Sequence, residues 1–297
     1  MLRFEDAPRP TPDSGELLIR VHAASVNAID WKVRAGYLKD VFPLPLPFIP
    51  GWDVSGIVEA VGSGVTKFKK DDEVYARPDG ARSGQGAYAE YVVVEETEAA
   101  LKPKSIDHVH AAAIPVVGLT AWQAQFDTAA LNKGQRVLIH GAAGGVGSFA
   151  MQLAKWKGAH VIGTASGRNQ VFLREWGVDE PLDYEKTRFE DVVHDVDVVL
   201  DTLGGDTQNR SWKVLKKGGI LVSIVSPPSA EEAAKHGVRS AFFSHPSSSQ
   251  LSEIAKLVDA GKLKPVVETV LPLSDARRAH ELNETGHARG KIVLKVA

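Results

Sequence analysis

The chain has 297 residues, no cysteine, 35 basic and 37 acidic residues, and a formal net charge of -2. That length suits two domains of ordinary size, and a 43% hydrophobic content is enough to fill two cores. The missing cysteines exclude disulfides, thiolate metal sites and thiol nucleophiles, and the balanced charge leaves no basic stripe for nucleic acid or an anionic membrane surface.

The opening residues hold no apolar leader, and no run of about 18 apolar residues follows, so a cytoplasmic protein without membrane spans is expected. From Glu16 to Ser25, the residues Leu17, Ile19, Val21 and Ala23 alternate with Leu18, Arg20 and His22, the period of a half-buried strand. Further strands are expected at 54–61, 73–76 and 87–94, parted by the turn clusters Gly62-Ser63-Gly64 and Pro78-Asp79-Gly80. The stretch from Pro43 to Pro50 cannot be helical, because each proline removes a donor and blocks the preceding turn; it reads as a surface connection or a cleft wall.

Beyond about Ala111 the rhythm changes. Apolar strands at 136–140, 159–164, 196–201 and 219–224 alternate with helical stretches at 146–157, 169–176 and 208–215, which indicates βαβ units and a doubly wound parallel sheet. A helix at 251–260 and a closing strand at 291–296 follow, with no internal repeat.

The strand ending at His140 runs straight into Gly141-Ala142-Ala143-Gly144-Gly145-Val146-Gly147 and then a helix carrying Phe149, Leu153 and Trp156 on its apolar face. A strand-to-helix turn bare of side chains lets the backbone approach a pyrophosphate at the positive end of the helix, so a dinucleotide is the expected ligand. The second strand then ends Thr164-Ala165-Ser166-Gly167-Arg168, without the carboxylate that would receive a ribose 2′-hydroxyl. Ser166 and Arg168 offer a hydroxyl and a guanidinium fork to a 2′-phosphate instead, so NADPH is expected over NADH.

Several motifs in order carry a family resemblance over essentially the whole chain. Val26-Asn27-Ala28-Ile29-Asp30, Pro50-Gly51-Trp52-Asp53-Val54-Ser55-Gly56, Asp71-Asp72-Glu73-Val74, Gly118-Leu119-Thr120-Ala121 and Gly290-Lys291-Ile292-Val293-Leu294 together resemble the zinc-independent medium-chain dehydrogenase/reductases, in particular the quinone oxidoreductase (zeta-crystallin) and alkenal/enone reductase group. The resemblance implies an α/β fold: a Rossmann NADPH-binding domain at 113–246 and a β-rich GroES-like catalytic domain at 1–112 and 247–297, with the active site in the cleft between them and a homodimer as the assembly. It implies that Ala143, Gly144, Gly145 and Val146 take the diphosphate, that Ser166 and Arg168 take the 2′-phosphate, and that Tyr184 lies at the adenosine end. Leu203, Val225 and Phe243 would contact the ribose and nicotinamide, and Thr120 would lie near the nicotinamide. Relatives begin with an additional strand, so the first sheet is expected to be short of an edge.

Zinc-dependent members have GHE after the motif proline, whereas Trp52 and Asp53 stand there in a chain without cysteine, so no metal is expected. Without a Lewis acid the expected chemistry is hydride transfer to an already electrophilic small molecule, a quinone or an enone. The resemblance places Asn27 and Tyr37 at the cleft, Asn27 as the candidate orienting hydrogen-bonder and Tyr37 as the candidate proton donor, with water as the other source. Two alternatives stay open, an enoyl-thioester reductase and a non-catalytic NADPH-binding protein. None of the ten histidines has metal-ligand spacing; His108, His110, His280 and His287 read as ordinary polar residues, and Ser247-Ser248-Ser249 as a helix cap.

Overall fold

The alternating segment at the front forms β1 (Glu16–Val26), on which Leu17, Ile19 and Val21 are fully shielded. In the computed structural model, which describes residues 2–41, 44, 46–79, 84–243 and 247–297, the chain divides into two compact units, Met1–Val116 with Ser247–Ala297, and Val117–Pro246. Asn27 ends β1 and starts α1 (Ala28–Arg34), its N–H donating to Asp30 Oδ2 at 2.6 Å. The Asn-x-x-Asp motif is thus a helix N-terminus. Next come β2 (Val54–Val61), β3 (Glu73–Ala76), β4 (Tyr91–Glu95), β5 (Ala99–Leu101) and α2 (His108–Ala112). Residues 87–90, expected as strand, bend instead, and β4 starts at Tyr91. Phe42, Pro43, Pro45 and Gly80 of the proline-rich and turn segments lie outside the described residues.

A helix, α3 (Pro115–Trp122), passes into a π-helical turn at Gln123–Thr128. The βαβ rhythm then appears as β6 (Arg136–Ile139), α4 (Gly145–Lys157), β7 (His160–Ala165), α5 (Gln170–Glu175), β8 (Glu180–Asp183), β9 (Val196–Asp201), α6 (Gly205–Ser211), β10 (Leu215–Ser223), α7 (Ala230–His236) and β11 (Arg239–Phe242). The chain closes with α8 (Leu251–Asp259), β12 (Val267–Pro272), α9 (Ala276–Glu284) and β13 (Lys291–Lys295). Among the described residues no helix is long and apolar enough to cross a membrane.

The first unit is built on a seven-stranded sheet in the order β12-β13-β1-β2-β3-β5, with β4 also paired to β1. Its pairs are antiparallel except β12 with β13. The other face of β1 is covered too, since Ala112 and Ala113 pack on Ala23 and Val293. Among the described residues of 2–15 there is no strand, and Arg9 lies over the Tyr91 ring, its guanidinium carbon 4.0 Å from the centroid. Gly51 is obligatory at its place: φ is +113°, and a Cβ would stand 2.6 Å from the Tyr88 ring.

The second unit holds six parallel strands in the order β8-β7-β6-β9-β10-β11. In chain order that is 3-2-1-4-5-6, the Rossmann arrangement, in which the strand order reverses between β6 and β9. Phe149 and Leu153 of α4 are buried as expected, whereas Trp156 is 43% exposed and rests on Trp122 with ring centroids 5.9 Å apart. The edge strands β8 and β11 were not foreseen; Glu180-Pro181-Leu182-Asp183 and Arg239-Ser240-Ala241-Phe242 are short and only half apolar, because an edge strand buries less than a central one.

Candidate functional site

The glycine-rich turn sits where the strand order reverses. β6 ends on His140, Gly141 turns with φ +60°, and Gly144, extended at φ -77° and ψ -178°, caps α4. Gly147 can carry no side chain, since its Cβ would fall 2.2 Å from the Gly141 carbonyl oxygen. Hydrogen bonds that anchor the turn include Ala142 N–H to the Thr164 carbonyl at 2.9 Å, Gly144 N–H to the Gly141 carbonyl at 2.9 Å, and the Thr202 hydroxyl to the His140 carbonyl at 2.7 Å. Behind it the buried His140 imidazole bridges Thr164 Oγ1 at 3.1 Å and Ser211 Oγ at 2.9 Å, and burial pushes its pKa down to about 4, so it stays neutral. The first-turn amides of α4 have no acceptor within the helix.

On the other side of the reversal, Asp201 ends β9 and fixes the following loop. Its Oδ1 accepts the Leu203 and Gly204 amides at 3.0 and 2.8 Å, and its Oδ2 accepts Gln208 and the Ser223 hydroxyl at 2.9 and 2.8 Å. Sequence reasoning missed this group, although a carboxylate closing the apolar run Val198-Val199-Leu200 was the available signal.

Because all six strands are parallel, the residues just past their carboxyl ends form one row. Tyr184 follows β8, Ser166 and Arg168 follow β7, Ala143 to Val146 follow β6, and Leu203, Val225 and Phe243 follow β9, β10 and β11. Tyr184, Arg168, Leu203 and Val225 are exposed; Phe243, Gly144, Gly145 and Val146 are half-buried; Ala143 and Ser166 are buried. Thr120 does not follow a strand; it is buried on α3.

The end of β7 differs from the reading of the local sequence in one respect. No carboxylate terminates β7 itself, but the pairing of Ala165 with Asp183 brings the end of β8 alongside. Glu185 Oε2 accepts the Gly167 N–H at 3.1 Å, and Asp183 holds the Glu185 N–H at 3.1 Å.

The first unit carries a buried polar cluster. Asp53, fully buried, accepts at Oδ2 from Ser25 Oγ at 2.6 Å, Asn27 Nδ2 at 2.8 Å and Lys291 Nζ at 3.2 Å, and at Oδ1 from the Val116 N–H at 2.7 Å. Lys291 Nζ also donates to the Val26 carbonyl at 2.8 Å and to Asn27 Oδ1 at 2.5 Å. Burial lowers the lysine's pKa, opposed by the charges of Asp53 and Asp30. Asp30 is pushed up to about 7, by burial first. Its carboxyl and the Tyr88 hydroxyl are buried against each other, and burial first, then the nearby Asp30 charge and their mutual hydrogen bond, raise the phenol.

Asn27 is therefore engaged at both ends of its amide, while Tyr37 is 74% exposed, edge-on to Trp31 at 6.1 Å between centroids. Among the described residues no three His, Asp or Glu side chains gather as metal ligands. The His108 ring lies against His22, tilted, with centroids 4.4 Å apart, and bonds Ser55 Oγ at 2.8 Å; His280, beside Arg34, is fully buried. Ser247 precedes a short 3-10 turn, but its hydroxyl meets Ser249 Oγ at 2.8 Å and not the backbone it was expected to cap.

Comparison with known proteins agrees with this geometry. Residues 13–104 match the alcohol dehydrogenase GroES-like domain, and residues 176–294 match a model described as zinc-binding dehydrogenase. A mitochondrial NAD(P)H oxidoreductase of Mus musculus is 39% identical, over 95% of this chain and 82% of its own length. A chloroplastic NADPH-dependent alkenal/one oxidoreductase of Arabidopsis thaliana is 38% identical, over 96% and 73%. The solved quinone oxidoreductase from Coxiella burnetii superposes with a TM-score of 0.90 at 37% identity, covering 99% of this chain and 94% of that one. A GroES-like β-domain and a Rossmann domain in one α/β chain define a class of two-domain oxidoreductases. The chain belongs to the medium-chain dehydrogenase/reductase family. Two of these relatives are named for mitochondria or chloroplasts, so the comparisons do not support the expected cytoplasmic location.

Proposed function

We propose that this chain is an NADPH-dependent reductase that passes hydride to quinones or α,β-unsaturated carbonyls without zinc. The observation that carries this reading is the row of residues along the carboxyl edge of the parallel sheet, with the side-chain-free turn at its centre. On it the first-turn amides of α4 receive the diphosphate, Ser166 and Arg168 hold the 2′-phosphate, Tyr184 flanks the adenosine, and Leu203, Val225 and Phe243 line the ribose and nicotinamide portion. Thr120 completes the nicotinamide end. Bound there, the dihydronicotinamide supplies the hydride.

Zinc independence is supported by the donors themselves. The chain has no cysteine, Asn27 and Trp52 are poor ligands, and Asp53 already faces the Lys291 ammonium. The acceptor is then reduced by position alone: the β-carbon of an enone, or a quinone oxygen or carbon, takes the hydride with its electron pair. The resulting enolate or hydroquinone anion takes a proton from Tyr37 or from water. Asn27, fixed by Asp53 and Lys291, serves as the orienting group. A homodimer is part of the proposal, supported by β11, whose outer edge has no strand partner among the described residues.

The test is oxidation of NADPH and NADH against an ortho-quinone, a para-quinone, a 2-alkenal, a cyclic enone and a crotonyl thioester, with and without a zinc chelator. Turnover of a quinone or enone that survives chelation is expected. Turnover confined to the thioester reassigns the chain to the enoyl reductases, and binding without turnover makes it a non-catalytic NADPH-binding protein. In the same panel, unchanged turnover by Tyr37→Phe assigns the proton to water.

A further inference from the structure

Gly167 lies between Ser166 and Arg168, the two residues assigned to the 2′-phosphate. Its N–H donates to Glu185 Oε2 at 3.1 Å. The space that a Gly167 Cβ would fill is faced by Asp183 Oδ2 at 3.0 Å and Glu185 Oε2 at 3.3 Å. Asp183 is committed elsewhere: its Oδ1 takes the Glu185 N–H at 3.1 Å, its Oδ2 pairs with Lys186 at 3.5 Å, and its carbonyl takes the Thr187 N–H at 2.9 Å. Glu185 is exposed and holds the Gly167 amide from solvent.

We propose that Glu185 selects between the two nicotinamide cofactors, its carboxylate occupying the backbone donor that a 2′-phosphate would take. The proposal rests on the reading of this turn as the 2′-phosphate end of an NADPH site. A phosphate arriving between Ser166 and Arg168 must displace a carboxylate from the Gly167 N–H and then sit beside that like charge. The 2′-hydroxyl of NADH has the opposite relation to the same group, because it donates a hydrogen bond that a carboxylate accepts. Glu185 therefore offsets part of the preference set by Ser166 and Arg168, and the chain accepts NADH alongside NADPH. Its exposure makes the repulsion modest and sensitive to salt.

The experiment is fluorescence titration of NADPH and NADH on the full chain and on Glu185→Gln, Glu185→Ala and Arg168→Ala, at low and at physiological salt. Both Glu185 variants are expected to bind NADPH about five- to tenfold more tightly with no gain for NADH, and the gain is expected to shrink with salt. Arg168→Ala is expected to lose about tenfold for NADPH alone. A wild-type chain that binds cofactor, whose NADPH-to-NADH ratio stays within about twofold in both Glu185 variants or whose two affinities rise together, overturns the role of Glu185 while leaving the cofactor site standing. If the wild-type chain binds neither cofactor, the site and the proposal fall together.

Discussion

The turn after β6 and the turn after β1 are both places where a strand hands over to a helix, and they are built from opposite materials. At Gly141 to Gly147 the backbone does the work: glycines clear the space, and amides at the start of α4 supply partial positive charge. At Val26 to Asp30 side chains do it, with Asn27, Asp53, Lys291, Ser25 and Asp30 packed out of water. The groups that shape the backbone site are neighbours in sequence, whereas those of a buried charge cluster are delivered by distant strands. The first is therefore sensitive to volume, the second to charge.

Charge should give the larger effect. Lys291→Met leaves Asp53 buried beside Ser25 and Asn27 without its cation, and a loss of about 3–5 kcal/mol in urea unfolding is expected. The double variant Asp53→Asn with Lys291→Met should recover more than half of it. If the double is no more stable than the single, the cluster is not a charge pair in the sense argued.

Volume comes next. Gly147→Ala places a methyl against the Gly141 carbonyl oxygen, and the expected cost is about 2–3 kcal/mol with at least about tenfold weaker NADPH binding. Wild-type thermal stability and affinity in this variant would show that the turn yields, and that the contrast between the two sites is overdrawn.

The smallest effect depends on pH. Asp30 titrates near 7 in the folded chain and near 4 in an unfolded one, so the native state keeps a proton that the unfolded state releases, and stability falls as pH rises from about 4 to about 7. His108, His140 and His280, pushed down to about 4 chiefly by burial, act the other way, and their contribution grows as pH rises from about 4 to about 6.5. Asp30→Asn removes the falling branch alone. Its unfolding free energy should exceed the wild-type value at pH 8 and lose that margin near pH 4; a parallel pair of pH profiles would contradict the burial of Asp30 as a charge-sensitive group.

Much of the second unit was legible along the chain, because its information is local. The stretches 136–140 and 196–201 are apolar enough to be central strands, and the glycines between His140 and Ser148 announce a strand-to-helix turn. The short, half-polar edge strands β8 and β11 were not legible, since an edge strand satisfies a weaker pattern. Missing β8 had a chemical consequence: the end of β7 read as free of carboxylates until the parallel pairing set Asp183 and Glu185 beside Gly167.

In the first unit the motif residues Asn27, Asp30, Asp53 and Lys291 all stood within recognisable segments, yet nothing in their spacing showed that they meet. Asn27 and Lys291 are 264 positions apart, joined only because β1 and β13 pair antiparallel. By itself the sequence determined the βαβ order, the glycine-rich strand-to-helix turn and the absence of thiolate ligands, since each of these depends on residue type and near neighbours. Only the tertiary structure decided which charges share a buried volume and which carboxylates reach the end of β7, because register between strands, not distance along the chain, sets those contacts.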